Sequence, residues 1–163
     1  AFNRLRVSGT VNGPCSFYEC AIDFVAGFEG AAYDCALLGS LVLDAAATAP
    51  LRLVDCHSDV AGTTRPTIDF NGAVCNGSIR NYNGGATIAG VTQGQSISID
   101  CNSATIELDA TCTSGTFNIR GIGYLIDNSG PGCTVSVDGL IEPPDLRLAR
   151  DHARAANLQT QQV

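Results

Sequence analysis

The sequence predicts an all-β chain, folded as a right-handed parallel β-helix of about 20 residues per coil with a short C-terminal α-helix. The main observation is a three-residue phrase: an aliphatic or aromatic residue, a charged residue, and then Cys, Asn or Gly. Its third positions are Cys20, Cys35, Cys56, Asn81, Cys101, Gly121 and Gly139. The steps of 15, 21, 25, 20, 20 and 18 residues between them are typical of a solenoid. Each copy is too short to bury a core alone, so the copies must stack.

Apolar residues alternate with polar ones just before the later copies of the phrase. Successive side chains of a strand point to opposite faces, so each alternating pair lies on one face. Stacked coil upon coil, these pairs predict an apolar column inside the rod. The pairs are Ile97 and Ile99, Phe117 and Ile119, and Val135 and Val137.

Glycine and asparagine separate the predicted strands, as in Asn71-Gly72, Asn83-Gly84-Gly85 and Asn128-Ser129-Gly130. These residues accept the positive φ values that tight corners require. An antiparallel hairpin sandwich is the alternative architecture. It does not explain why one residue pattern returns about every 20 positions, so the solenoid is favoured.

The composition limits the class of protein. The 163 residues suffice for one domain or one domain with a tail, and 45% of them are hydrophobic against 15% charged, which is typical of a folded chain. The nine Lys and Arg are outnumbered by 16 Asp and Glu, giving a net charge of −7. Without a basic cluster to neutralise phosphates, we expect no nucleic-acid partner. No run of 18 apolar residues is present, so we expect no membrane insertion.

The chain divides into a predicted β-solenoid shaft over residues 1–142 and a helical association segment over residues 143–163. Glu142-Pro143-Pro144 interrupts the repeat because proline cannot donate to a β-ladder. Beyond it, helix-forming residues carry an apolar stripe at three- and four-residue spacing. The predicted association helix contains Leu146, Ala149, Ala153 and Ala156. It either begins a coiled coil on a threefold axis or folds back as a cap on the rod.

The eight cysteines do not have the spacing of a zinc site. Four of them occupy the third position of the phrase: Cys20, Cys35, Cys56 and Cys101. Successive rungs lie about 4.8 Å apart, within the Cα separation of about 4.4–6.8 Å that a disulfide allows. The residues therefore form either a stack of reduced thiols or bridged neighbours. Cys112 and Cys133, one coil apart beside glycine-rich turns, are the best candidates for a bridge.

Paired carboxylates are the remaining candidates for chemistry. Glu19, Asp34 and Asp55 would stack on neighbouring coils, and retaining glycosidases need two carboxyl groups about 5–5.5 Å apart. However, Arg80 and Arg120 occupy the same position of the phrase, so a charge ladder across rungs is the simpler interpretation. The sequence therefore predicts no enzyme, no catalytic residue, no metal ligand and no cofactor.

Several phrases together resemble the β-helical parts of fibre-like appendage proteins of tailed bacteriophages. They cover roughly residues 1–141, followed by a helical tail of the same kind. The phrases are Asp55-Cys56-His57-Ser58, Pro66-Thr67-Ile68-Asp69-Phe70-Asn71-Gly72, Ile79-Arg80-Asn81-Tyr82-Asn83-Gly84-Gly85, Thr111-Cys112-Thr113-Ser114-Gly115-Thr116, Ile119-Arg120-Gly121, Asp127-Asn128-Ser129 and Asp138-Gly139-Leu140-Ile141.

This resemblance implies a structural segment of the virion, a rigid fibre or spike of the tail or neck. It further implies a homotrimer, contacts with other virion proteins, and a host-adhesion role with a host surface glycan as ligand. The chain has more cysteines than is expected of most such fibres, which suggests a particle that disulfides stabilise outside the cell. The alternatives are a polysaccharide-degrading tailspike enzyme and a cellular β-helical adhesin.

Overall fold

The structure, a computed structural model, describes residues 2–58 and 65–142, with the side chains of residues 2 and 3 excepted. The described chain is all-β, and its strands pair in parallel as stacked coils of one continuous sheet. The prediction of a parallel β-solenoid is therefore confirmed. The predicted association helix, residues 143–163, lies outside the described residues.

Twelve strands make up the described part of the sheet. They are β1 (Phe2–Asn3), β2 (Arg6–Thr10), β3 (Cys15–Tyr18), β4 (Ala21–Phe28), β5 (Gly30–Tyr33), β6 (Ala36–Leu43), β7 (Leu51–Val54), β8 (Thr67–Asp69), β9 (Gly77–Ala89), β10 (Gln95–Leu108), β11 (Gly115–Asp127) and β12 (Cys133–Asp138).

The strands form two sides of each coil. Side A consists of β1, β3, β5 and β7, the first halves of β9, β10 and β11, and then β12. Side B consists of β2, β4, β6 and β8 and the second halves of β9, β10 and β11. The strands β9, β10 and β11 run through both sides, so they join the two arrays into one sheet.

A single residue in the left-handed region turns the chain from side A to side B in the early coils. The φ values at this bend lie between 52° and 56°. The residues are Arg4, Glu19, Asp34, Asp55 and Asn81. Such a conformation is unfavourable for most residues, and here the ladder hydrogen bonds on either side hold it in place.

The repeated phrase occupies two different structural registers. Leu53 aligns with Ile79 and Val54 with Arg80, so Arg80 is an outward strand residue and not the counterpart of the bend residue Asp55. Asn81 holds the third position of the phrase, but it does not continue the cysteine column. Tyr82 aligns with Cys101 and takes that place, because Asn81 is itself the bend residue.

The core consists of inward columns that run the length of the rod. On side A, Leu53, Ile79, Ile99 and Ile119 stack in register and are fully buried. The predicted pairs Ile97 with Ile99 and Phe117 with Ile119 are thus confirmed as core. In the last rung, Val137 is 41% exposed, because no further described strand covers β12. The opposing column of side B is Val25, Leu41, Ile68, Ile88 and Leu108, all fully buried.

Aspartates build the corner at which side B ends. In each case a side-chain oxygen accepts a hydrogen bond from the backbone N–H two residues later, at 2.7–3.0 Å. This Asx geometry substitutes for a backbone turn. The four residues are Asp44, Asp69, Asp109 and Asp127. At Asp109 the N–H and hydroxyl of Thr111 lower the pKa of the carboxyl group.

Replacing Ile99 by alanine should strongly destabilise the rod. Its side chain is fully buried between Ile79 and Ile119, so truncation leaves a cavity that the stacked neighbours cannot fill. We expect the free energy of unfolding to fall by about 2–5 kcal/mol. Ser98→Ala, on the exposed face of the same strand, is the control and should change it by less than about 0.5 kcal/mol. Urea denaturation compares the two variants, and equal losses would contradict the assigned register.

Candidate functional site

The outer face of side A carries two columns of outward side chains. The strand register places the members of each column directly over one another. The first column contains Ser16, Ala31, Arg52, Ser78, Ser98, Asn118 and Ser136. The second contains Tyr18, Tyr33, Val54 and Arg80, and continues through Asp100, Arg120 and Asp138.

The two tyrosines of the second column form a stacked pair. Their ring centroids lie 5.0 Å apart and their planes differ by 10°. Tyr18 is 40% exposed and Tyr33 is partly buried. The spacing follows from the ladder, because adjacent rungs lie about 4.8 Å apart. The face therefore presents a rigid aromatic platform on an otherwise polar surface.

A depression begins where the tyrosine stack ends. After Tyr33 the column continues with the short side chain of Val54 and then the long side chain of Arg80. The resulting depression has a volume of about 610 Å³ and is lined by Tyr33, Pro50, Arg52, Val54, Ser78 and Arg80. A second depression, of about 460 Å³, adjoins it and shares Tyr33, Pro50 and Arg52.

The arginines at this depression differ from the other arginines of the described chain. Within residues 2–58 and 65–142, Arg52 and Arg80 form no ion pair. Both are exposed. The paired arginines are Arg4 with Glu19, Arg6 with Asp23, Arg65 with Glu107, and Arg120 with Asp100. Unpaired guanidinium groups on an acidic protein are available to an external anion.

Farther along the column, opposite charges neutralise one another. Arg120 makes two hydrogen bonds to the carboxylate of Asp100, one of them 2.9 Å long. This contact, together with the charge of Arg80 on the preceding rung, lowers the pKa of Asp100. A lowered pKa means that the pair stabilises the fold above the ordinary pKa and is lost as the pH falls through the folded value. Because the Arg120 side chain is 70% exposed, the contribution is small.

The predicted stack of carboxylates lies at the bend between the two sides. Glu19 is paired with Arg4 at 2.5 Å, and Asp55 accepts a hydrogen bond of 2.8 Å from the amide of Asn81. Asp34, between Glu19 and Asp55, is exposed. Among the described residues, no group of three or more His, Cys, Asp or Glu is arranged to hold a metal ion.

All eight cysteines are free thiols in this structure. Cys20, Cys35 and Cys56 lie in one buried column, to which Cys101 also belongs beyond Tyr82. Each of the first three thiols donates to the carbonyl two residues earlier, at 3.2–3.5 Å. The N–H of Cys20 also donates to the sulfur of Cys35, at 3.4 Å.

The cysteines predicted as the best bridge are also thiols here. Cys112 donates to the carbonyl of Ile88 and Cys133 to the carbonyl of Cys112, each at 3.3 Å. Burial raises the pKa of Cys101 and of Cys112 to about 11. The hydrogen bond with Cys35, followed by burial, raises the pKa of Cys56. Protonated, buried thiols are poor nucleophiles, so these residues serve packing in this state.

The thiol state predicts a simple labelling pattern. In the native protein, we expect iodoacetamide to modify at most the two partly buried residues, Cys15 and Cys133. After denaturation without a reductant, all eight cysteines should react. Intact-protein mass spectrometry counts the labels. Fewer than eight labels in the denatured, unreduced protein, restored to eight by a reductant, would instead establish disulfides.

The remaining predicted site residues belong to the predicted association segment. Leu146, Ala149, Ala153 and Ala156 of the association segment lie outside the described residues. In the part that the structure does describe, no helix is long and apolar enough to cross a membrane.

Sequence reasoning missed the tyrosine–arginine depression. A signal was present, because Tyr18 and Tyr33 hold the same position in two copies of the phrase, 15 residues apart. Nothing in the sequence indicated that Arg80 lies beside Val54 on the next rung. The repeated phrase aligns Arg80 with Asp55, whereas the β-ladder pairs it with Val54. Comparison of the chain with protein-family models, with curated proteins and with solved structures found no match.

Proposed function

We propose that this chain is a structural component of a bacteriophage virion, a rigid fibre or spike segment of the tail or neck with a role in adhesion to the host. Two things support the proposal: the resemblance of its phrases to bacteriophage fibre-like proteins, and the continuous register of the strands on side A. The continuous register of the strands is the main support, because a spacer has to transmit force along its length without bending.

The rigidity of the shaft follows from its hydrogen bonding. Side A contains eight successive rungs, from Phe2 in β1 to Val137 in β12. Seven steps of about 4.8 Å give a length of about 34 Å. Both sides of most coils are paired, so bending the rod would break hydrogen bonds and disturb the apolar columns together.

An apolar patch supports association between copies. Ile122 is 71% exposed, Ile141 is 58% exposed and Tyr124 is 39% exposed. These three residues surround one shallow depression near the last rung of the described shaft. Exposed apolar patches of this kind usually mark interaction surfaces. The patch lies near residue 142, the last residue before the predicted association segment, so both features favour a homotrimer joined at this end.

Light scattering should give the mass of a trimer for the full chain. Removal of residues 143–163 should reduce it to the mass of a monomer, because the remaining patch of three apolar side chains is small. Ile122→Ser in the full chain should weaken the trimer, whereas Asn118→Ser, at an exposed position on side A, is the matched control. A monomer for the full chain over the whole concentration range would overturn the trimeric assignment.

The position on the particle is tested directly by immunogold electron microscopy. Antibodies raised against residues 1–142 should label the tail or neck of phage particles produced by a genome that encodes this chain. Pre-incubation of the antibodies with the purified protein is the control and should abolish the labelling. Particles that contain no copy of the chain by mass spectrometry would overturn the virion assignment.

A further inference from the structure

We propose that the depression between Tyr33 and Arg80 is a binding site for an acidic sugar residue of a carboxylate-bearing oligosaccharide. We call it the tyrosine–arginine slot, formed by Tyr33, Val54 and Arg80 with Arg52 at its side. The inference rests on the adhesion part of the proposed function, because it names the class of glycan that the rod would hold.

The ladder sets the width of the slot. Tyr18 and Tyr33, one rung apart, already stack with their ring centroids separated by 5.0 Å. Tyr33 and Arg80 are two rungs apart, with Val54 between them, so their backbones are separated by about 9.6 Å. One flat ring therefore fits above Val54 at stacking distance from Tyr33, with Arg80 on its other side.

The walls of the slot suit a pyranose. The face of an aromatic ring carries the negative part of its quadrupole and attracts the C–H groups on the apolar face of a sugar. The ring of Tyr33 is available for this contact on the side toward Val54, because Tyr18 covers only its opposite side. Val54, which is partly buried, provides an apolar floor.

The charges select an acidic sugar. Arg52 and Val54 lie on one rung, with Arg80 paired to Val54 on the next. The Arg52 and Arg80 backbones are thus diagonal neighbours about 8 Å apart, since two residues span about 6.7 Å along a strand and one rung about 4.8 Å across. The planar fork of a guanidinium group matches a carboxylate with two parallel hydrogen bonds. Neither arginine forms an ion pair within the described residues, although Arg80, in addition to Arg120, attracts Asp100 on the next rung and lowers its pKa.

The bend residues next to the slot favour a sugar over a nucleic acid strand. Asp34 and Asp55 directly follow Tyr33 and Val54 and are exposed. Their carboxylates can accept hydrogen bonds from sugar hydroxyls, as can the hydroxyl of Ser78 in the lining. An oligodeoxynucleotide has no free sugar hydroxyls along its backbone to donate to these acceptors, so it would meet only their negative charge.

The adjoining depression extends the site to more than one sugar. It shares Tyr33, Pro50 and Arg52 with the slot and continues past Tyr18. An oligosaccharide that places one acidic residue in the slot can therefore run along side A over the tyrosine pair.

Isothermal titration calorimetry of the 163-residue chain tests the proposal with four probes. Tetragalacturonate and a tetramer of α2,8-linked sialic acid are the two sources of sugar carboxylates. Maltotetraose is the neutral control, and an oligothymidylate of eight nucleotides tests nucleic acid. We expect one of the acidic tetramers to bind at least tenfold more tightly than maltotetraose and the oligothymidylate, and to weaken as salt is added. Failure of both acidic tetramers to bind, or tighter binding of the oligothymidylate, would overturn the proposal.

Variants locate the binding in the slot. Arg52→Gln combined with Arg80→Gln should weaken the acidic tetramer at least tenfold. Val54→Phe should do the same without a change of charge, because the added ring fills the space next to Tyr33. Arg6→Gln, on side B and paired with Asp23, is the control and should bind as the unaltered protein does. Thermal melting verifies that each variant folds, and unchanged binding in both slot variants would place the site elsewhere.

The two proposals fail in different ways. If particles carry the chain but neither acidic tetramer binds, the glycan site is overturned and the virion assignment stands. If an acidic tetramer binds in the slot but particles lack the chain, the virion assignment is overturned and the site stands.

Discussion

The in-register hydrogen-bond ladder between successive coils is the constraint on which the rest of the structure depends. All strand pairs of the described sheet are parallel, and along side A each strand residue lies over its counterpart in the next coil, whereas register shifts occur on side B and at the bends. Side chains therefore contact residues that are one coil away in sequence. Leu53, Ile79 and Ile99 form a buried column for this reason, and Tyr18 stacks on Tyr33 for the same reason.

The bends allow coils of unequal length to keep this register. Side A residues aligned in successive rungs are 15 residues apart from Phe17 to Ala32, 21 from Ala32 to Leu53, and 26 from Leu53 to Ile79. The extra residues lie between the end of one side B strand and the next side A strand, or between the sides. The αL bend and the Asx corners are local structures, so they close a coil without depending on its length.

The sequence was sufficient to predict the class of fold. The alternation at Ile97 and Ile99 can be recognised within one strand, and the period of the phrase remains visible when single copies deviate from it. The sequence was insufficient for register. Glu19 and Arg80 hold the same position of the phrase, yet one is a bend residue in the αL region and the other an outward strand residue. The cause is that the phrase begins at the outward residue Tyr18 in one copy and at the inward residue Ile79 in the other, and the residue types do not reveal this offset. The slot depends on this register, so it could not be predicted either.

The slot arises where a regular column is interrupted. Where like residues follow one another in a column, their side chains pack together and leave no space between rungs, as Tyr18 does with Tyr33. Where opposite charges alternate, the neighbours form ion pairs, as Asp100 does with Arg120. Val54 breaks both patterns by placing a short apolar side chain between an aromatic ring and an unpaired arginine. The ladder cannot close this space, because the rung spacing is set by the backbone and not by the side chains. A solenoid thus acquires a binding site by a single irregularity in an outward column, and the surrounding repeats hold that site rigid.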